Sequence, residues 1–260
     1  MCALAFGGAV SRFVILFVER SGSTYLATLL ASHPRILARR EEFAQMRQRG
    51  VDGRGQLEWA GKFWSPGLLS PYRAIGFKTK LVDILDPQGF TRLLVDRRVR
   101  VIELHRRNLV KAVISTINAR RLHEASGNWN LLQESDRLPP FRVDPEEFER
   151  LLQERIRWDR ELEDFTAGLR LPLVRLYYED LLEDEPEFVG RVLDFLQVDR
   201  YPLRGKTLKN TQDDLRRALL NFDELRLRYA GTPFHSMFDE VVQTDGGFDE
   251  RAAGGISGLP

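Results

Sequence analysis

Residues 13–18, FVILFV, form an unbroken apolar run rich in β-branched and aromatic side chains. A strand with one wet face alternates apolar and polar residues, whereas this run suits a strand buried on both faces, as in a parallel sheet. The polar stretch Glu19-Arg20-Ser21-Gly22-Ser23-Thr24 follows. Tyr25, Leu26, Leu29 and Leu30 then recur at helical spacing, and Pro34 ends the helix soon after Ser32. A buried parallel strand leading through a short loop into a helix fixes the fold class. The expectation is an α/β protein, a parallel sheet flanked by helices.

That turn is built to hold an anion. The first turn of a helix carries unpaired N–H groups and the positive end of the macrodipole, where phosphate or sulfate sits readily. Gly22 lets the backbone approach closely, Ser23 and Thr24 add hydroxyl donors, and Arg20 adds a forked, permanent cation. Two plainer readings stand beside this one. The loop is also compatible with an ordinary strand–helix connection capped by Ser21 or Ser23. A nucleoside-triphosphate loop, GxxxxGK[ST], matches poorly, because Ser23 follows Gly22 and no earlier glycine is in register.

A second unit of the same kind lies near the middle of the chain. Residues 100–104, RVIEL, read as a strand, His105-Arg106-Arg107-Asn108 as a basic turn, and residues 109–121 as a helix, with Leu109, Val110, Val113, Ile114 and Ile117 on its apolar side. Its plain reading is another strand–helix unit. Between the two units, residues 35–43 are charged and carry Glu41 and Glu42, which by themselves read as a solvated helix start. A carboxylate can also serve as a general base if burial raises its pKa. Residues 73–81 read as a short strand with Lys78 and Lys80 on one face. Lys78 either faces the reacting groups or is a solvent-facing lysine at a strand end. His33 and His105 are further candidate bases or structural histidines.

The motif RSGST after a buried strand resembles the 5′-phosphosulfate loop of sulfotransferases that use 3′-phosphoadenosine 5′-phosphosulfate (PAPS). The arginine resembles the protein-tyrosine and bacterial trehalose sulfotransferase branches; the cytosolic branch usually has lysine. The resemblance implies a P-loop-like sulfotransferase fold, with Arg20, Ser21, Gly22, Ser23, Thr24 and Tyr25 holding the 5′-phosphate and sulfuryl group. Glu41 lies 21 positions after Arg20. A catalytic glutamate follows the loop arginine at that distance in those two branches, and His33-Pro34 also matches the tyrosine-sulfating one. This implies Glu41 as general base, with Glu42 as the fallback, and Arg20 as a catalytic cation. The family places an arginine at a strand end and a serine eight or nine residues on, to grip the 3′-phosphate. Ser115 is eight residues after Arg107 and nine after Arg106, so both arginines are carried. A late basic loop, with Arg204, Lys206 and Lys209, resembles the segment that closes the nucleotide site, a solvated turn being the alternative. The implied reaction moves a sulfuryl group from PAPS, leaving PAP, to a hydroxyl of a small molecule, sugar or lipid, without a metal. A P-loop kinase and an inactive PAP-binding domain are the competing functions.

Composition narrows the rest. Net charge is +1, with no global basic field pointing to nucleic acid. No apolar run reaches the roughly 20 residues that span a bilayer, and Cys2, the one cysteine, has no partner for an internal disulfide. A cytoplasmic protein with residues 1–260 as a single domain is expected, with a loose tail over 245–260 and no prediction of oligomeric state. Residues 122–144 read as a long loop offering Trp129 and Phe141 as acceptor contacts. Asp144 caps a long amphipathic helix over 145–169, a strand follows at 171–177, one helix continues from YEDL, and a last helix covers 215–229. Trp59 is expected in the core, and Trp64 either in the core or lining the acceptor pocket.

Overall fold

The computed structural model describes residues 10–67, 70–205 and 211–241. Lys206, Lys209 and the segment 245–260 lie outside the described residues. β1 (Ser11–Phe17) is the middle strand of a five-stranded sheet in the order β2-β3-β1-β4-β5. The others are β2 (Ile36–Arg39), β3 (Ala74–Thr79), β4 (Arg100–His105) and β5 (Leu173–Tyr177), and every neighbouring pair is parallel. The connections carry α1 (Ser23–Ala31), α2 (Glu42–Gln48), α3 (Gly53–Phe63), α4 (Pro87–Asp96), α5 (Leu109–Ser126) and α6 (Pro145–Ala167). After β5 come α7 (Tyr178–Glu183), α8 (Glu185–Leu196), α9 (Leu215–Ala218) and α10 (Phe222–Arg228).

The apolar run of β1 is buried on both faces, as its composition requires. Phe13, Ile15 and Phe17 pack with Leu26, Leu29 and Leu30 of α1 and Val192 and Leu196 of α8. Val14 and Leu16 pack on the other face with Phe43, Phe77, Phe90 and Leu94. Each such side chain contributes about 1.5–3 kcal/mol on burial. A third cluster joins α5 and the start of α6 to α9 and α10.

Strand order places the site. From β1 the chain crosses to β2 and β3 on one side; from β3 it returns past β1 to β4 and β5 on the other. The loops leaving β1 and β4 therefore part in opposite directions, which opens a crevice at their C-terminal ends. Residues 18–22 and 106–108 both lie there.

Several elements differ from expectation. Residues 36–39 form an edge strand inside what reads as a charged connection; β3 recruits it through the register Ile36↔Ala74 to Arg39↔Phe77. The segment after β5 is two helices, because Asp184 leaves the helical region (φ −146°) and caps α8 through the Glu187 N–H. The last helix is likewise split into α9 and α10, and between them Asn221 bonds the Val143 backbone from both ends of its amide. α5 runs beyond residue 121 to Ser126, where Gly127 ends it with φ +73°. Trp64 is fully buried against Phe77, which puts it in the core. Phe141 is buried in the third cluster, under the Arg121 guanidinium, so it belongs to the core too.

Candidate active site

The loop after β1 takes a left-handed turn twice, at Arg20 (φ +61°) and Gly22 (φ +78°). Gly22 is required on two counts: a side chain disfavours that φ, and a Cβ there would collide with the Tyr178 ring. At Arg20 a non-glycine residue holds the strained conformation, and buried arginines hold it in place. Arg155 of α6 donates from Nη1 to the Glu19 carbonyl, and Arg106 donates from Nη1 to the Arg20 carbonyl at 3.2 Å. With those carbonyls tied back, the loop keeps its shape at the open N-terminus of α1. No side chain caps that terminus. By contrast, Asp or Asn side chains cap α3, α4, α5, α6 and α8.

The two basic turns meet. Arg20 Nε donates to Ser115 Oγ at 2.9 Å, and its Nη1 donates to the Trp129 carbonyl at 3.3 Å. Trp129 thus reaches the site through its backbone, while its ring stacks on His123. Arg106 is buried against Tyr178, its guanidinium 5.0 Å from the ring centroid. Burial pushes the pKa of Arg20 down, and neighbouring Arg106 adds to this. Burial likewise lowers Arg106. Both guanidiniums remain cations. Arg106 Nε and the Oγ of fully buried Ser21 have no hydrogen-bond partner.

The structure separates the two candidate arginines that precede Ser115. Arg106 points into the crevice. Arg107 is exposed, pairs with Asp180 at 2.5 Å and stacks over Tyr177 at 4.1 Å. Glu179 accepts the backbone N–H groups of Arg107 and Asn108 at 2.9 and 3.1 Å, which fixes the start of α5. Tyr25 donates to Glu185 at 2.8 Å, and Gly205 lies against its ring with no room for a side chain. Arg204 is exposed and its N–H bonds Ser32.

Lys78 is not a solvent-facing lysine. It is 1% exposed, and β3 lies in register with β1 so that Lys78 is opposite Ile15. Its ammonium donates to Ser23 Oγ (3.2 Å), Thr24 Oγ1 (2.8 Å) and Glu41 Oε1 (2.8 Å), and it sits 4.7 Å from the Phe17 ring centroid. Lys80 Nζ approaches Glu41 Oε2 at 3.9 Å. Glu41 precedes α2 as its N-cap residue, and Glu42 opens the helix. Burial alone would raise the Glu41 pKa, but Lys78, Lys80 and Arg20 outweigh it and hold the carboxyl below its ordinary range. This corrects the expectation of a carboxylate raised by burial.

Neither histidine is placed as a base. His33 accepts the Arg35 N–H at Nδ1 and faces the Asp199 carbonyl with Nε2, both at 3.0 Å, so it ties the turn after α1. His105 lies between Glu103 (2.6 Å) and Asp159 (3.2 Å), and Asp159 in turn holds Arg155 at 2.6 Å. Burial would lower the His105 pKa, but its bonds to Asp159 and Glu103 prevail and raise it to about 9. The imidazolium is therefore charged at neutral pH and forms a strut, His105–Asp159–Arg155, that ends on the Glu19 carbonyl. Because the folded value lies above the unfolded one, near 6.5, this group's stabilisation is complete below about pH 6.5. It is lost as pH rises through about 9. The wild-type melting temperature is expected to fall over that window relative to a His105→Gln variant. Parallel curves from pH 6 to 9.5 would refute the strut's charge state.

Tyr178 and Glu179, in the YEDL segment that reads from the sequence as scaffold, and Arg155, which no motif marks, are site-building residues. Two signals point to them. Tyr178 and Glu179 directly follow a strand's C-terminal end, where parallel sheets build sites. Arg155 is a charged residue on the apolar face of α6, in phase with Leu151, Leu152 and Leu162.

No model of a known protein family matches the chain. Over 241 residues it is 27% identical to Nodulation protein H of Rhizobium tropici, covering 87% of this chain and 92% of that protein. Nodulation protein H of Rhizobium meliloti (strain 1021) is 25% identical over 250 residues, covering 87% and 94%. The chain is similar to Nodulation protein H along most of its length. Among solved structures, a sulfotransferase from Alicyclobacillus acidocaldarius superposes with a TM-score of 0.49 at 15% identity, over 88% of this chain and 94% of that one. Among the described residues, no helix is long and apolar enough to cross a membrane.

Proposed function

We propose that the protein is a PAPS-dependent sulfotransferase acting on a hydroxyl acceptor. One observation carries this reading. Half-buried Arg20 and buried Arg106 are adjacent cations at the uncapped N-terminus of α1; Ser21 Oγ is buried with no hydrogen-bond partner, and the carboxylate nearest Arg106 Nε, Glu179 at 4.0 Å, is already engaged by two backbone N–H groups. Buried like charges and orphaned donors are costly unless an anion joins them. The donor set — guanidinium, ammonium, hydroxyl and helix N–H — is that of a phosphate or sulfate site.

In this reading PAPS, when bound, supplies the sulfuryl group and an adenosine with a second phosphate. Arg20, Ser21, Ser23, Thr24 and the first N–H groups of α1 bind the 5′ end. Arg106 and Ser115 bind the 3′-phosphate, and Arg107 joins them only by leaving Asp180. Lys78 stands where the anion loop meets Glu41, so it holds negative charge that grows on the sulfuryl oxygens. Glu41 takes the acceptor's proton. It is ionised at neutral pH, and when Lys78 turns to an anion Glu41 loses its strongest partner and becomes a better base. Lys209, outside the described residues, is carried in this reading as a further donor contact.

The test has two parts. By calorimetry, PAP is expected to bind at least about tenfold tighter than AMP, a margin of 1.4 kcal/mol for the second phosphate. Equal affinities would remove the 3′-phosphate assignment and reopen the kinase reading. Glu41→Gln is expected to keep PAP affinity and to lose about 10²–10⁴-fold in turnover. A variant that turns over normally would pass the base role to another group.

A further inference from the structure

A cleft of about 250 Å³ opens at the C-terminal ends of β1 and β3, against α6. Its apolar walls are Phe17, Val18, Leu81, Val82, Trp158 and Leu162, and its polar groups are Glu19, Lys80 and Glu161. Three contacts join it to the centre described above. Phe17 is a shared wall, with the Lys78 ammonium 4.7 Å from its ring centroid on the site side. Lys80 reaches from the cleft to Glu41. Glu19 immediately precedes Arg20.

We propose that this cleft seats the acceptor, and that it selects a compact amphipathic alcohol, neutral or cationic, over an anionic one. The inference rests on the sulfuryl-transfer reading and adds the acceptor's class to it. Size argues for compactness, since sites for drug-sized ligands run from roughly 300 to 1,000 Å³ and this one holds about a single ring with a short arm. The six apolar walls call for an apolar body. Charge decides the rest. Lys80, the cleft's cation, is already shared between Glu41 (3.9 Å) and Asp83 (3.8 Å). Glu19 takes a hydroxyl hydrogen bond from Thr116 and is offset by neighbouring Arg20, whereas Glu161 faces its Arg157 partner only at 3.7 Å on an exposed surface. An anionic acceptor in the cleft is therefore repelled by Glu161, while an ammonium is attracted and a neutral group is unaffected.

Three phenols of nearly equal shape provide the probe: tyramine, 4-ethylphenol and 4-hydroxyphenylacetate. Calorimetry on the protein saturated with PAP is expected to show tyramine and 4-ethylphenol binding at least about fivefold tighter than 4-hydroxyphenylacetate. Glu161→Lys, a surface change, is expected to close that gap by about fivefold or reverse it. Trp158→Ala is expected to weaken all three by about tenfold with PAP affinity unchanged. If PAP binds normally but the three phenols bind alike, or not at all, the inference is overturned. An unchanged order in Glu161→Lys overturns it as well. Failure of PAP itself to bind the wild-type protein withdraws the donor reading, and this inference with it.

Discussion

Lys78→Met is expected to lower turnover by about 10²–10³-fold, the usual loss when one preorganised charge-stabilising donor is removed. Methionine keeps most of the volume and the contact with Phe17, so packing against β1 survives. What is lost is a group that touches Ser23, Thr24 and Glu41 together. A second readout separates this from general damage. In the wild type, cations hold Glu41 below the ordinary carboxylate range, so kcat/KM should lack an acid limb between pH 5 and 7. Without Lys78, desolvation gains ground and the Glu41 pKa rises, so the variant's acid limb moves toward neutrality. A rate within threefold of wild type, or an unmoved limb, would show that Lys78 is only packing.

Arg155→Met is expected to lower the melting temperature by about 10 °C and PAP affinity by at least tenfold. Removing one partner of a buried pair costs about 3–5 kcal/mol, and in a chain of this size each kcal/mol moves the midpoint by about 2–4 °C. The variant leaves Asp159 facing His105 alone and frees the Glu19 carbonyl, which Arg155 now holds. Arg20 then has less to keep it at φ +61°, and the loop relaxes away from its binding shape. PAP affinity is measured well below the melting transition, where a purely structural role has no effect. Unchanged affinity there would reduce Arg155 to scaffold.

The parts of the site that lie within one strand–loop–helix unit are legible in the sequence. RSGST after a six-residue apolar run, and HRRN before a helix, each combine a period switch with a polar turn inside about 20 residues. Their convergence follows from strand order, which sequence motifs only imply. Lys78 is harder to read. Its face depends on β3 pairing with β1 in the register Ile15↔Lys78, a contact 63 residues apart that alternation within β3 leaves undetermined. The acidity of Glu41 is misjudged for a related reason: burial is visible in a sequence only as a tendency, and the cations that reverse it arrive from β3 and the β1 loop. β2 escapes notice because it is four residues long, bounded by arginines, and made a strand by its neighbour rather than by its own pattern. Arg106 and Arg107 are equivalent on spacing; Asp180 and Tyr177, 70 or more residues downstream, distinguish them.

The middle position of β1 has a consequence for how the protein is made. Its loop leaves the ribosome early, yet one flank of that strand waits for residue 100 and the turn beside it waits for Tyr178. A nascent chain halted before β5 holds the RSGST segment without the ring that packs on Gly22 or the carboxylate that anchors Arg107. Assembly through such distant partners is slow, and the unfinished sheet carries exposed edges while it waits. Competence to grip a nucleotide should therefore switch on in one step, once Tyr178 and Glu179 have emerged.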